Sequence, residues 1–295
     1  MATLKSDTCQ KHNIRIPRAG DTMDRTLYLT DKENVAITRD GPSIWVTGDG
    51  KAGRRIPARL VDKVIVFGNV KIEAEVITLF AGHNVPMVFI NKKGGEAAVA
   101  MPRNDHVENH HDEQKVVLAN EENIKAYMAW MDDRRKEVQL DVLERISKNV
   151  AAHYRDNGFC EQDYRSFVMR TSWIHEKKWR AAVSVVNGLS LGLVLRCLTD
   201  ARFDPHLGVL HRRQNYGLGL DVRSIIDPEF DLLTLQFLQD NLNGRSFVRT
   251  TEGWFVTREG MRDIAKRYEN RKRAIRTLTE QIIDSLFSLI RRLRS

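Results

Sequence analysis

A histidine and an aspartate ten residues apart carry the most specific chemistry in this sequence. His211 and Asp221 lie within GVLHRRQNYGLGLDVRSIID, residues 208–227. An imidazole and a carboxylate can together hold a metal ion, but an isolated pair of this kind more often forms a structural hydrogen bond. One helical turn after Asp221, where a second acid would extend a ligand set, the chain has Ser224. Three interpretations therefore stay open: an active site, an altered active site and an ordinary loop between helices.

Other polar motifs point less specifically to chemistry. In HVENHHD, His106 and His110 have the i, i+4 spacing that places two imidazoles on one helix face, and His111 follows. This segment lies in a polar stretch between two halves of different pattern, which favours a solvated loop. The sequence has no GxxxxGK[ST] loop for nucleotide phosphates. The glycines of GLSLG at 188–192 lie in an apolar helical stretch, where they favour close helix packing.

The basic residues predict a polyanionic partner. Lys and Arg number 47 against 39 Asp and Glu, which gives a formal charge of +8 and a pI of about 9.4. Arg258, Arg262 and Lys266 are spaced at i, i+4 and form a stripe that could neutralise phosphates. Two further basic clusters are KKWR at 177–180 and HRR at 211–213. DNA or RNA is the expected partner, with an ordinary solvated helix face as the alternative.

The cysteines and the hydropathy pattern suggest a compartment. Cys9, Cys160 and Cys197 are odd in number and form no CxxC pair, which fits a reducing cytoplasm. No stretch approaches the roughly 20 apolar residues of a membrane helix, and the polar start has no signal-peptide core. We therefore expect a cytoplasmic protein without a membrane partner.

The pattern of apolar residues changes once along the chain. From 25 to about 100, runs rich in Val, Ile, Thr and aromatic residues alternate with turns such as RDGP, which predicts strands. One helix interrupts them in KIEAEVITLFAGHN. Beyond the polar stretch the period becomes 3.6, and helices are predicted over 114–154, 181–201, 229–242, 258–275 and 277–294. The predicted fold class is α+β: a flexible segment 1–22, a small β-rich domain 23–102, a linker 103–113 and a larger all-α domain 114–295.

Several motifs in a fixed order resemble the CRISPR-associated integrase family, the metal-dependent nucleases that insert new spacers into CRISPR arrays. RTLYLT leads into RRIPARLVDKVIVFGNVKI and then LFAGHNVPMVFINKKG. RAAVSVVNGLSLGLVLRCLTDARFDPHLGVLH follows, then DVRSIIDP and TTEGWFVTREGMRDIAKRYENR. The resemblance covers residues 25–275 or so. It implies that the β-rich domain serves dimerisation and that the helical domain carries the metal site and the DNA contacts.

The resemblance also implies a metal site, from which this sequence departs. The family holds Mg²⁺ or Mn²⁺ with a Glu, a His and an Asp or Glu. The His corresponds to His211, whereas the two acidic positions hold Ser147, in LERISKNVAAHY, and Ser224. Neutral hydroxyls replace carboxylates poorly on a hard dication, so a degenerate site that binds no metal is the first expectation. Glu144 and Asp221, each one turn before a serine, could instead serve with His211 in a displaced site.

Three functions remain open at this point. The first is a catalytically impaired family member that binds double-stranded or branched prespacer and CRISPR-repeat DNA. It would act as a homodimer with a small ferredoxin-like CRISPR-associated protein, or beside a competent paralogue. The second is an active Mg²⁺- or Mn²⁺-dependent endonuclease and integrase, and the third, outside the family, is a non-enzymatic helical nucleic-acid-binding protein. The predicted DNA contacts are Lys148, Lys177, Lys178, Arg180, Arg212, Arg213, Arg245, Arg249, Arg258, Arg262 and Lys266.

Overall fold

The computed structural model describes residues 25–30, 35–48, 51–91, 94–101, 110–171, 176–241 and 245–294. Within these ranges a β-rich region up to residue 100 precedes a mostly helical region, so the predicted α+β fold class is confirmed. The segment 1–22, His106 and linker residues 103–109 lie outside the described residues. The last residues of the predicted linker, 111–113, already belong to a helix. The division into separate domains stays a prediction.

Two four-stranded sheets form the β-rich region. The first has the order β1 (Thr26–Thr30), β5 (Lys63–Phe67), β7 (Met87–Ile90) and β8 (Glu96–Ala100); β8 is antiparallel to β7 and the other pairs are parallel. The second has the order β4 (Lys51–Pro57), β3 (Ser43–Gly48), β2 (Ala36–Asp40) and β6 (Lys71–Ile72). Helix α1 (Ala74–Gly82) precedes β7, at the place where the apolar spacing predicts a helix.

The helical region surrounds two long central helices. Its elements are α2 (His111–Leu118), α3 (Glu121–Ile146), α4 (Lys148–Asn157), α5 (Glu161–Thr171), α6 (Glu176–Asp200), α7 (Gly217–Asp240), a hairpin of β9 (Phe247–Thr250) and β10 (Gly253–Val256), and α8 (Arg258–Arg294). α6 and α7 pack against each other, and α3 and α8 cover them. Most of their apolar side chains belong to one buried cluster.

The structure divides and joins the predicted helices differently. The helix predicted over 114–154 is interrupted at Asn120, whose side chain caps α3 by accepting a hydrogen bond from the Asn123 backbone N–H, and again at Ser147. The two helices predicted over 258–294 are a single α8. α7 begins at Gly217 rather than 229 and carries Pro228 in its interior. Burial of both flanks of this proline explains why its helix-breaking tendency does not end α7.

The first sheet lies between two hydrophobic cores. On β5, Ile65 and Phe67 belong to the core of the helical region, whereas Val64 and Val66 belong to the core of the second sheet and α1. Side chains alternate across a strand, so each face of β5 supplies one core. α6 lies directly on β7, because Cβ atoms at Gly188 and Gly192 would come within 2.7 Å of Ile90 and 2.8 Å of Val88. The glycines of GLSLG thus allow close packing, as predicted.

Charged side chains also connect the sheet to the helices. Asp62, at the start of β5, is 7% exposed and lies 3.4 Å from the Lys272 ammonium of α8. Lys63 is fully buried and its ammonium donates to the hydroxyl of Tyr268 on the same helix. Removing a partner from buried pairs of this kind is costly, so the sheet and α8 are held in one fixed arrangement at this point.

The expectation that no stretch approaches a membrane helix is wrong for α6, which by length and composition alone is apolar enough to cross a membrane, within the described residues. Its most apolar window is 72% buried inside the protein. Contacts with β7, α7 and α8 account for this composition, as expected of a central core helix.

Candidate nucleic-acid interface and altered metal site

Asp221 lies at the centre of the predicted site and is fully buried in the first turns of α7. One carboxylate oxygen accepts hydrogen bonds from Tyr127 Oη at 3.1 Å and from the backbone N–H groups of Val209 and Leu210 at 2.7 and 3.2 Å. The other accepts the backbone N–H of His211 at 3.1 Å and its ring Nδ1 at 2.8 Å. Five donors therefore occupy this carboxylate, and the geometry favours an orienting role over metal ligation.

The loop 208–211 is held rigidly by these bonds. Burial, and then the adjacent Asp221 carboxylate, raises the pKa of Tyr127 well above its usual range, so the phenol stays protonated and donates. The loop also lies directly on the start of α7, because a Cβ on Gly208 would come within 2.2 Å of the Gly217 backbone. The imidazole of His211 is 27% exposed and directs its Nδ1 to Asp221. Its Nε2 is the ring nitrogen left for a ligand.

The structure gives different local settings to Ser147 and Ser224, the two serines that the resemblance places at acidic positions. Ser224 donates its hydroxyl to the backbone carbonyl of Asp221 at 2.7 Å, the usual local bond of a serine within a helix. Ser147 is the extended residue between α3 and α4, with φ of −156°. Its backbone N–H donates to Leu143 O and its carbonyl accepts from Ala151 N. Where the resemblance implies the charged oxygen of a glutamate, Ser147 has a neutral hydroxyl.

Glu144, proposed for the displaced site, does not converge on His211. Its carboxylate is half exposed and pairs with Arg155 of α4 at 3.2 Å. Across the described ranges, no three His, Cys, Asp or Glu side chains form a group that could hold a metal ion. The displaced site of His211, Asp221 and Glu144 is therefore not assembled in this structure.

An Mg²⁺ or Mn²⁺ ion prefers several hard, anionic oxygen ligands. The three positions that the resemblance assigns to the metal ligands hold one imidazole and two neutral hydroxyls, and the Ser224 hydroxyl is already engaged. The nearest carboxylate, Asp221, is committed to five donors. The residues at these positions therefore do not fit Mg²⁺ or Mn²⁺.

The two described histidines of the second group, His110 and His111, make structural contacts. His110 Nδ1 contacts Glu113 at 2.6 Å, and His111 Nδ1 contacts Asp204 at 2.7 Å. The His110 ring also packs on the aromatic rings of Phe203 and Phe287. His111 is the first residue of α2 and not part of a solvated loop. The i, i+4 partner, His106, lies outside the described residues.

The predicted DNA contacts fall into two surfaces. Arg212 and Arg213 directly follow His211 and are exposed, and Lys148 is exposed at the start of α4. Near the hairpin and the start of α8, five exposed basic side chains are Arg245, Arg249, Arg258, Arg262 and Lys266. At the start of α6, Arg180 pairs with Glu176 and the Lys178 ammonium lies over the rings of Trp254 and Phe247. Lys178 therefore stabilises the hairpin, and Lys177 is exposed beside it.

Acidic residues of α7 that sequence reasoning missed make contacts with side chains of neighbouring helices. Burial raises the pKa of Asp231 to about 7, and Asp227 one turn away adds to this effect. Glu229 is 8% exposed and lies between Arg145 of α3 and Arg271 of α8. The only signal in the sequence was DPEFD, which places two acids at i, i+4. The predominantly apolar pattern around it gave no sign that these acids are partly or largely buried.

The chain is similar to one known protein family and to several solved structures. The family model described as CRISPR associated protein Cas1 matches residues 27–155 and 107–270. A Cas1 protein from Thermotoga maritima has a TM-score of 0.74 at 18% identity, covering 92% of this chain and 97% of that chain. A casposase bound to integration product reaches 0.66 at 13% identity, covering 83% and 82%. A chain of a Cas6-RT-Cas1–Cas2 complex reaches 0.66 at 11% identity, covering 92% of this chain and 35% of its own.

Proposed function

The chain belongs to the Cas1 family of CRISPR-associated proteins, and we propose from this premise that it is a DNA-binding subunit of a spacer-acquisition complex with impaired catalysis of its own. The observation that carries the proposal is the pair of serines, Ser147 and Ser224, at the family's carboxylate positions. The full commitment of Asp221 to the loop and His211 adds to it. Without anionic ligands the site would not attract a dication in the presence of Lys148, Arg212 and Arg213.

The basic surfaces supply the binding half of the proposal. Exposed arginines and lysines neutralise backbone phosphates and release counterions, a contribution that does not depend on base sequence. Arg258, Arg262 and Lys266 lie on one exposed face of α8. The similar casposase is described as bound to an integration product, which supports DNA as the partner. We therefore propose double-stranded or branched prespacer and CRISPR-repeat DNA as the ligand.

The same comparisons support one part of the assembly that we propose. One similar chain belongs to a complex that contains Cas2, which supports a small CRISPR-associated partner protein. A homodimer through the β-rich region, a competent paralogue as the second Cas1 subunit and a cytoplasmic location complete the proposal. Family membership leaves the generic helical nucleic-acid-binding protein without support as an alternative. An active metal-dependent enzyme using His211, Asp221 and Glu144 is disfavoured because these three side chains form no metal-holding group.

A strand-transfer and cleavage assay on a branched CRISPR-repeat substrate, with Mg²⁺ or Mn²⁺, tests the catalytic half. We expect no metal-dependent product from the wild type or from His211→Ala, together with tight duplex binding by both. The double variant Ser147→Glu/Ser224→Asp restores the family's carboxylates and is the matched gain-of-function arm. Wild-type activity that disappears in His211→Ala would overturn the impaired assignment. Absence of DNA binding would overturn the binding half.

A further inference from the structure

Helix α5 is held to the rest of the helical region by few side chains. Of its 11 residues, Tyr164 and Val168 are the buried ones. In its first turn, Glu161 accepts hydrogen bonds from Arg135 and Gln139 of α3 at 2.9 and 2.6 Å. A helix that buries so little apolar surface can open locally at a smaller cost in free energy than unfolding of the whole protein.

Two carboxyl groups of α7, one helical turn apart, lie near α5. The Tyr164 hydroxyl donates to Asp231 Oδ2 at 3.3 Å. Asp227 Oδ1 is buried and accepts no hydrogen bond within the described ranges, and the Arg223 Nε atom lies 3.8 Å from it. A carboxyl oxygen that is buried without a donor is unfavourable, and more so when the group is ionised. The contact between α5 and α7 therefore encloses two acids that water would solvate better.

Three helices contribute the charges around Asp231. Burial, and then Asp227 on the same helix, raises the pKa of Asp231 to about 7, and Glu161 of α5 acts in the same direction. Arg165 of α5 opposes this shift, but its side chain is 68% exposed and pairs with Glu161, as does Arg135 of α3. Because burial is the main cause, exposure to water would return the pKa of Asp231 towards the ordinary value of about 3.9.

We propose that α5 is a pH-sensitive switch, which stays packed against α7 while Asp231 is protonated and opens locally more often as this carboxyl ionises. The open state hydrates Asp231 and leaves the rest of the fold in place. The inference goes beyond the proposed function and does not depend on DNA binding. Along the chain, α5 lies between α4, which begins at the predicted DNA contact Lys148, and α6, which carries the predicted contact Lys177. Opening would therefore loosen the chain between two regions of predicted DNA contact.

Hydrogen exchange of the α5 amides tests the inference, measured in the full chain from about pH 5.5 to about pH 9 and corrected for the intrinsic exchange rate at each pH. Between the pKa values of the open and the packed state, an opening that releases one proton becomes about tenfold more favourable per pH unit. Protection of α5 should therefore fall roughly tenfold from about pH 5.5 to about pH 6.5 and change little above about pH 8. Asp231→Asn should remove this pH dependence. Tyr164→Phe removes a hydrogen bond that favours the ionised carboxyl of Asp231, so the fall in protection should shift to higher pH.

A matched control and a urea series define the outcome. Asp240→Asn removes an acid of the same helix that is 67% exposed and paired with Arg267, and it should leave the pH dependence of α5 unchanged. The response of exchange to urea scales with the surface that an opening exposes, so low urea should accelerate the core amides of α6 but hardly those of α5. Acceleration of α5 in parallel with α6, or wild-type protection of α5 that does not vary with pH, would overturn the inference. If Asp231→Asn does not fold, the shift expected for Tyr164→Phe decides between the two outcomes.

Discussion

Glu229 should contribute measurably to the stability of the helical region through its negative charge. Arg145 of α3 donates to both of its oxygens, one of them through Nη1 at 3.1 Å, and Arg271 of α8 donates through Nη2 at 2.6 Å. One carboxylate of α7 therefore joins three helices. Glu229→Gln keeps the shape and one acceptor oxygen but removes the negative charge between two cations.

The size of the effect follows from exposure. Removing one partner of a buried pair costs about 3–5 kcal/mol, whereas an exposed pair contributes roughly 0.2–1 kcal/mol. The Glu229 side chain is 8% exposed, but those of Arg145 and Arg271 are 33% and 37% exposed and can rehydrate. We therefore expect a loss of about 2 kcal/mol of unfolding free energy. With roughly 2.1 cal/mol/K of unfolding entropy per residue over 295 residues, Tm should fall by about 3 °C.

The pH dependence provides a second and independent readout. Burial alone would raise the pKa of Glu229, but the hydrogen bonds and charges of Arg145 and Arg271 outweigh it and lower the pKa. A lowered folded-state pKa stabilises the protein above the unfolded-state value of about 4.3, and this contribution is lost as pH falls through the folded-state pKa. The difference between wild type and variant should be constant from about pH 5.5 upward and shrink below about pH 4.

Thermal or urea unfolding followed by circular dichroism measures both effects. The matched control is Glu137→Gln on α3, which removes an exposed ion pair with Arg134, 2.7 Å long and with side chains 57% and 37% exposed. This control should cost less than about 0.5 kcal/mol. Equal destabilisation by the two variants, or a Glu229→Gln effect that persists unchanged at pH 3, would refute the reasoning.

Two further expectations concern buried hydroxyl and carboxyl groups. Tyr127→Phe removes one of the five donors to Asp221 and should cost about 1 kcal/mol of unfolding free energy. Faster amide hydrogen exchange at Val209 would be the specific sign that the loop has loosened. Unchanged exchange at Val209 would contradict the orienting role of this hydrogen bond. Burial and then Asp227 raise the pKa of Asp231 to about 7 in the folded state. Between about pH 4 and pH 7 this carboxyl therefore ionises in the unfolded state but stays protonated in the folded state, so the wild type loses stability as pH rises and Asp231→Asn becomes increasingly stable relative to it. Urea unfolding at both pH values measures this difference, and a constant difference would contradict the raised pKa.

The sequence alone determined the fold class, most helix positions and the histidine–aspartate pair. Periodicity sufficed for these because strand and helix patterns depend on local alternation of apolar and polar residues. It located α1, α6 and the change of pattern after residue 100. The order of motifs gave the family before any coordinates, and the placement of Ser147 and Ser224 at its acidic positions stays a prediction. Helix ends were less well determined: the helix predicted from residue 229 begins at Gly217, because packing on both sides of Pro228 keeps α7 continuous.

Only the tertiary structure decided what Asp221 does. The residue types and their spacing allow Asp221 to be either a metal ligand or a hydrogen-bond acceptor. Which of the two it is depends on the donors that surround its carboxylate. Tyr127 lies 94 positions away in the chain, and no local pattern places its hydroxyl against Asp221. The same holds for Glu229 between Arg145 and Arg271, and for Asp231 beside Tyr164. In each case long-range packing sets the burial and the partners of a side chain, and these decide whether it binds, orients or stabilises.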